Sequence, residues 1–198
     1  AIEELESAAT QAVKNERNAL IKILKPDQLQ TFTKLVGELF DTENLKRIYP
    51  MAPEFVPVEH WLNSPPLTMQ AVRGQVVHFY AFECHNCHAN FDVYQRWHKE
   101  LTDQGVVVIG IQTPETAHER DSEAVKSAAQ QRELEFPILI DLESKNWQAY
   151  GNTMWPTVYV IDKQGYIRHW WQGELRWKGT DGDKTIEAIV QQLLKEDS

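Results

Sequence analysis

Apolar positions in the first fifty residues recur every three or four places. Ile2, Leu5, Ala9, Ala12, Val13, Leu20, Ile23 and Leu24 trace a helical face that runs up to Lys25-Pro26. Proline cannot supply the N–H that a helix interior needs, but it suits a helix's first turn. The spacing therefore predicts one helix ending before Pro26 and a second starting there. The second carries Leu29, Phe32, Leu35, Val36, Leu39 and Phe40 as an amphipathic stripe. Such a stripe needs a cover, and two are open: the rest of the chain, or another copy in a homodimer formed through the N-terminal helices.

The pattern then changes. Tyr49-Pro50-Met51-Ala52-Pro53-Glu54-Phe55-Val56-Pro57 holds three prolines in nine residues, and each disfavours helix at the residue before it, so an extended linker is expected. Beyond it, strands are expected at Val76–Phe82, Val106–Gln112, Phe136–Asp141, Thr157–Ile161 and Tyr166–Trp171. Helical patterns fall between and after them, near His88–Thr102, Asp121–Arg132, Lys145–Tyr150 and Lys184–Leu194. Alternating strands and helices predict an α/β sheet. Asp162-Lys163-Gln164-Gly165 is short enough to join the last two strands as an antiparallel hairpin. The expected organisation is a helical extension over 1–50 and an α/β domain over 51–198, with no internal repeat or low-complexity tract.

Composition narrows the function classes. Of 198 residues, 42% are hydrophobic and seven are Trp, enough for a packed core. Lys and Arg number 20 against 29 Asp and Glu, a net charge of −9. An acidic chain without basic clusters argues against a nucleic-acid partner. The longest apolar runs, Val76–Phe82 and Val106–Ile111, are too short to span a bilayer. The start at Ala1 rather than Met reads as a trimmed N-terminus, compatible with removal of a signal peptide or anchor.

The chemistry is concentrated in the chain's two cysteines, which stand three apart in Cys84-His85-Asn86-Cys87. A strand precedes them and a helical pattern follows, the arrangement of a redox C-x-x-C. Disulfide exchange needs a thiolate, and a helix N-terminus favours one through its free N–H groups and dipole. Cys84, just before the helix, is the expected nucleophile, and Cys87, in its first turn, the resolving thiol. His85 and His88 add positive charge when protonated.

Three segments carry a family resemblance: Val76-Val77-His78-Phe79-Tyr80-Ala81-Phe82-Glu83-Cys84-His85-Asn86-Cys87, Phe136-Pro137-Ile138-Leu139-Ile140-Asp141, and Trp155-Pro156-Thr157-Val158-Tyr159-Val160-Ile161-Asp162-Lys163-Gln164-Gly165. Together they resemble the thioredoxin superfamily, within it the TlpA-like branch of extracytoplasmic thiol–disulfide oxidoreductases. Asn86, with Gly110-Ile111-Gln112-Thr113-Pro114-Glu115, is most similar to the DipZ-like subgroup. The resemblance covers residues 54–195. It implies a thioredoxin-like fold, a cis proline at Pro156 after Trp155 facing the cysteine pair, protein thiol and disulfide substrates, a redox partner protein, no cofactor and a location outside the cytoplasm.

The departures from the family are specific. Glu83 stands where a Trp usually precedes the first cysteine, and is expected to point to solvent. His78 stands where thioredoxins bury an acid, and is a candidate to lie behind the pair within reach of Cys87. His85 and Asn86 replace an intervening pair that often includes Pro. As both favour the thiolate, the couple is expected between the thioredoxin and protein disulfide isomerase values, roughly −270 to −180 mV.

Rival readings use the same residues. Cys84, Cys87 and His88 also spell the C-x-x-C-H of c-type haem attachment. Zinc could draw on Cys84, Cys87 and one of His85, His88 or His98, without a complete four-ligand set. A thiol peroxidase would share the fold but place a Thr shortly before the reactive cysteine, where this chain has none. The pair could also be inert, in a non-catalytic binding module. Of Trp170 and Trp171, strand alternation sends one inward and one to the surface, beside Tyr166 and Trp177. Glu115, Glu119 and Glu174 read as solvated, and Asp141 as a strand-end residue.

Overall fold

The computed structural model describes residues 49–72 and 74–196, and before them residues 11–12, 15–16, 18–19 and 21–36. The chain divides into two compact units, 1–48 and 49–198. In the first, α1 spans Pro26–Val36. Its entry is fixed by Leu29 N donating to Lys25 O at 2.7 Å and Lys25 N donating to Gln28 Oε1 at 3.1 Å. The predicted stripe's Leu39 and Phe40, and the side chains of Leu35 and Val36, lie outside the described residues.

The second unit is a six-stranded mixed sheet flanked by helices. Its strands are β1 (Trp61–Leu62), β2 (Gln75–Tyr80), β3 (Val107–Gln112), β4 (Ile138–Ile140), β5 (Thr157–Ile161) and β6 (Ile167–Gln172). Their order across the sheet is β1-β4-β3-β2-β5-β6. β2 lies centrally, parallel to β3 and antiparallel to β5. Parallel neighbours need a crossover, and the helices supply it: α2 (His85–His88) and α3 (Phe91–Leu101) between β2 and β3, and α4 (Ser122–Gln131) between β3 and β4. α5 (Lys145–Ala149) precedes β5, and α6 (Gly182–Lys195) closes the unit.

Strand alternation splits the core in two. Val76 and Tyr80 of β2 face a cluster with Tyr94 and Trp97 of α3, Val125 of α4, Ile186 of α6, and both cysteines. Val77 and Phe79 face the other way, onto Ala52, Phe55, Trp61 and Trp147. The proline-rich stretch is therefore extended, as expected, but is no free linker. Ala52 and Phe55 are core residues, and the stretch pairs with the start of β6 through Ala52 N to Gly165 O at 2.8 Å and Ile167 N to Pro50 O at 2.8 Å.

Two further features depart from expectation. β1 is only two residues long, too short for alternation to reveal, and exists by pairing with β4. The helix expected at His88–Thr102 is two helices, broken at Ala89 and Asn90. Asn90 is buried, and its side chain turns to distant partners: Nδ2 donates to Tyr94 Oη at 3.0 Å and Gly173 O at 3.2 Å, and Oδ1 accepts from Leu175 N at 2.9 Å. The β5–β6 hairpin has its tight turn, with Gly165 at φ +92°, where glycine is unstrained. Of the tryptophan pair, Trp170 is the exposed one, while Trp171 packs against the core.

Candidate active site

β2 delivers the chain to the cysteines at the edge of the first core cluster. Cys84 is the N-cap of α2, with extended backbone at φ −67° and ψ 114°. From there the helix turns back over its own cap: His88 N donates to Cys84 O at 3.3 Å, and Cys87 N donates to Cys84 Sγ at 3.3 Å. The two sulfurs are joined as a disulfide, with Cα atoms 5.3 Å apart. Cys84 retains 8% exposure and Cys87 none. His85 and Asn86, on the turn between them, are exposed.

His78 is completely buried on the cysteine side of the sheet. Its ring stacks on Tyr94 at 3.9 Å between centroids and meets Phe136 edge-on at 4.8 Å. Neither ring nitrogen has a hydrogen-bond partner, so no direct bond to Cys87 exists. Burial alone drives its pKa down to about 3, and the imidazole is neutral at physiological pH.

On the exposed side, around Glu83, the surroundings are charged. Glu83 is exposed, as expected, but its carboxylate is partnered. Its carboxylate accepts from Thr116 Oγ1 at 2.6 Å and His118 Nδ1 at 2.8 Å. These bonds, His118's first, hold the Glu83 carboxyl below its usual range, and Glu83 in turn raises His118. Beneath them lies Glu119, which is not solvated as expected but fully buried. Its Oε1 accepts from Glu83 N at 2.7 Å, and its Oε2 from Glu115 N at 2.7 Å and Thr116 N at 2.9 Å. Three N–H donors satisfy buried carboxyl oxygens that would be costly to leave without partners. Glu119 N also donates to Thr116 Oγ1 at 3.4 Å, completing a capping-box exchange. The pattern Thr116-x-x-Glu119 was the available sequence signal for it.

Trp155 and Pro156 complete the surroundings. Their peptide bond is cis. Trp155 packs against the core cluster that holds the cysteines, stacks on Trp147 at 4.0 Å, and donates from Nε1 to Thr113 O at 3.2 Å. Gly173 N donates to Pro156 O at 2.8 Å, and Gly173 O accepts from Asn90. Two hydrogen bonds thus link Asn90, in the break between α2 and α3, to Pro156. Asp141, buried at the end of β4, accepts from Asn146 N at 3.1 Å and Trp147 N at 3.0 Å, which fixes the stacking partner of Trp155.

Sequence reasoning also missed Arg132. Its Nη2 lies 3.0 Å from His88 Nε2, which is itself 2.6 Å from Phe82 O. That contact spans 44 residues, and no local motif marks it.

Fold and site together define a thioredoxin-like protein whose cysteine pair caps a helix at the end of the central strand. The chain belongs to the AhpC/TSA family, whose pattern matches residues 52–170. It is 34% identical over 151 residues to protein DipZ of Mycobacterium tuberculosis, covering 73% of this chain. The chain spans only 21% of DipZ's length. It is 27% identical over 146 residues to the thiol-disulfide oxidoreductase YkuV of Bacillus subtilis, covering 73% of this chain and 94% of YkuV. A crystal structure of a thioredoxin-like superfamily protein superposes with a TM-score of 0.66 at 23% identity, covering 75% of this chain and 98% of that one. The DipZ likeness drawn from Asn86 and residues 110–115 agrees with these relatives.

Proposed function

We propose that this protein is a thiol–disulfide oxidoreductase that exchanges its Cys84–Cys87 pair with disulfides in other proteins. In the reducing direction, the Cys84 thiolate attacks a substrate disulfide, forming a mixed disulfide and releasing one substrate thiolate. The Cys87 thiolate then attacks Cys84 Sγ, releasing the second substrate thiolate and leaving the Cys84–Cys87 disulfide. A partner dithiol returns the pair to the reduced form, and the oxidising direction is the reverse.

The asymmetry of the pair carries this reading. Only Cys84 reaches solvent, and the Cys87 N–H is aimed at its sulfur, where it stabilises negative charge. His85 and Asn86 sit exposed beside Cys84, where a substrate would approach. Trp155 and Pro156 supply the neighbouring loop. The c-type haem alternative fits poorly, because His88 Nε2, its required ligand, lies 2.6 Å from Phe82 O and 3.0 Å from Arg132 Nη2. The resemblance to TlpA-like oxidoreductases supports a location outside the cytoplasm. Among the described residues no helix is long and apolar enough to cross a membrane.

Insulin disulfide reduction by the dithiol-reduced protein tests the function. Catalysed precipitation of insulin chains supports it, and a rate at the uncatalysed level rejects it. Running hydroperoxide consumption in parallel tests the thiol peroxidase alternative, which requires the peroxide rate to exceed the insulin rate.

A further inference from the structure

The residue before Cys84 is an anion, which would ordinarily oppose formation of a thiolate beside it. The structure gives that anion a titratable partner. His118 Nδ1 lies 2.8 Å from Glu83 Oε1, and the His118 ring meets the Phe82 ring edge-on at 5.5 Å. The pair does not rely on two flexible side chains finding each other. Glu119 clamps the backbone of Glu83 and of residues 115–116 to one buried carboxylate, fixing the loop that carries His118 against the segment that carries Cys84. Thr116 Oγ1 then orients the Glu83 carboxylate from the same loop.

We propose that Glu83 and His118 are positioning residues that set the ionisation of Cys84 through a charge pair switched by pH. The proposal rests on the reading of Cys84 as the exchanging thiol. With His118 protonated the pair is neutral overall, and Cys84 loses its proton readily. With His118 neutral, Glu83 is left as an uncompensated anion next to Cys84, and the thiol is harder to ionise. The sign follows from the two directions already given. Glu83 is held low and His118 is held high, so the intact ion pair occupies the interval between them and is lost as pH rises through the His118 pKa.

Other charged groups around the pair are accounted for. Glu119 and Asp121 also favour the charged form of His118. The Glu119 carboxylate is saturated by three N–H donors. Arg120 donates to Leu142 O at 2.8 Å, and Arg132 is occupied at His88. On the cysteine side lie His88 and the exposed His85. His85 adjoins Cys84, so the test is made in a His85→Gln background.

The experiment titrates Cys84 in a Cys87→Ala, His85→Gln protein by thiolate absorbance and by the rate of iodoacetamide alkylation. With His118 present, Cys84 should titrate over a broadened, two-step curve. His118→Gln should collapse it to one step at higher pH and slow alkylation near pH 6 by about threefold to tenfold. Glu83→Gln should move the Cys84 titration to lower pH and speed alkylation by a similar factor. His118→Lys keeps a permanent charge and should restore the fast rate without the pH step. All these differences should shrink in high salt, because the pair is exposed. If His118→Gln leaves the curve unchanged, or if Gln and Lys shift it in the same direction, the proposal is overturned. Insulin reduction by the protein with both cysteines intact is read separately. Its failure with the predicted titration would sink the exchange function and leave the charge pair standing.

Discussion

The two sides of the cysteine pair are built on opposite principles. On the buried side, in the core cluster that also holds Cys87, His78 lies in an aromatic box of Tyr94, Tyr80 and Phe136, uncharged and without a hydrogen bond. In front, Glu83, Thr116, His118 and Glu119 form a connected polar cluster in which every carboxylate has a donor. Both sides contain a histidine, and environment alone separates them: burial pushes His78 down to about 3, while the Glu83 carboxylate pulls His118 up. On the proposed mechanism, the buried Cys87 would resolve from the apolar side and charge would act on Cys84.

The largest effect expected is on chemistry. Cys84→Ala should abolish insulin reduction, a loss of at least about a thousandfold, because no other group can form the mixed disulfide. Next is the front clamp. Glu119→Leu leaves the N–H groups of Glu83, Glu115 and Thr116 without their acceptor and should cost about 2 kcal/mol in urea denaturation. Glu119→Gln, which keeps one acceptor oxygen, should cost less. Equal stability of Glu119→Leu and the parent protein would show that the front is not held by this carboxylate.

The rear cluster is tested by acid. The His78 pKa is depressed in the folded state, so the unfolded chain binds more protons between about 6.5 and 3. Stability from this group is intact above about pH 6.5 and falls by up to about 1.4 kcal/mol for each unit below it. His78→Leu removes that slope and two unpartnered nitrogens. It should therefore gain about 2 kcal/mol relative to the parent at pH 5. A difference that does not change with pH would show that the imidazole is protonated, or partnered, in the fold. The smallest effect is the shift in Cys84 ionisation on His118→Gln, and it sharpens the comparison most, since His78→Leu should leave that curve in place.

Much of this architecture is legible in the chain. Five strands, the hairpin turn and the C-x-x-C at a strand-to-helix junction all follow from periodicity, turn residues and cysteine spacing. What escaped was held by distant contacts. The break at Asn90 depends on Gly173 and Leu175, more than 80 residues away. β1 has two residues and needs β4 to exist. The solvated reading of Glu119 failed because a carboxylate's burial is decided by which N–H groups surround it, and one of them belongs to Glu83, 36 residues earlier. Only the Thr116-x-x-Glu119 half of that arrangement was local enough to be read.

Trapping by mass spectrometry tests the central assignment most directly. Cys87→Ala and Cys84→Ala, each reduced and offered a disulfide-bonded peptide, should differ completely. Cys87→Ala should accumulate a stable mixed disulfide on Cys84, because nothing remains to resolve it, and Cys84→Ala should form none, because its remaining sulfur is buried. A peptide adduct on Cys87, or none on either variant, would contradict the account.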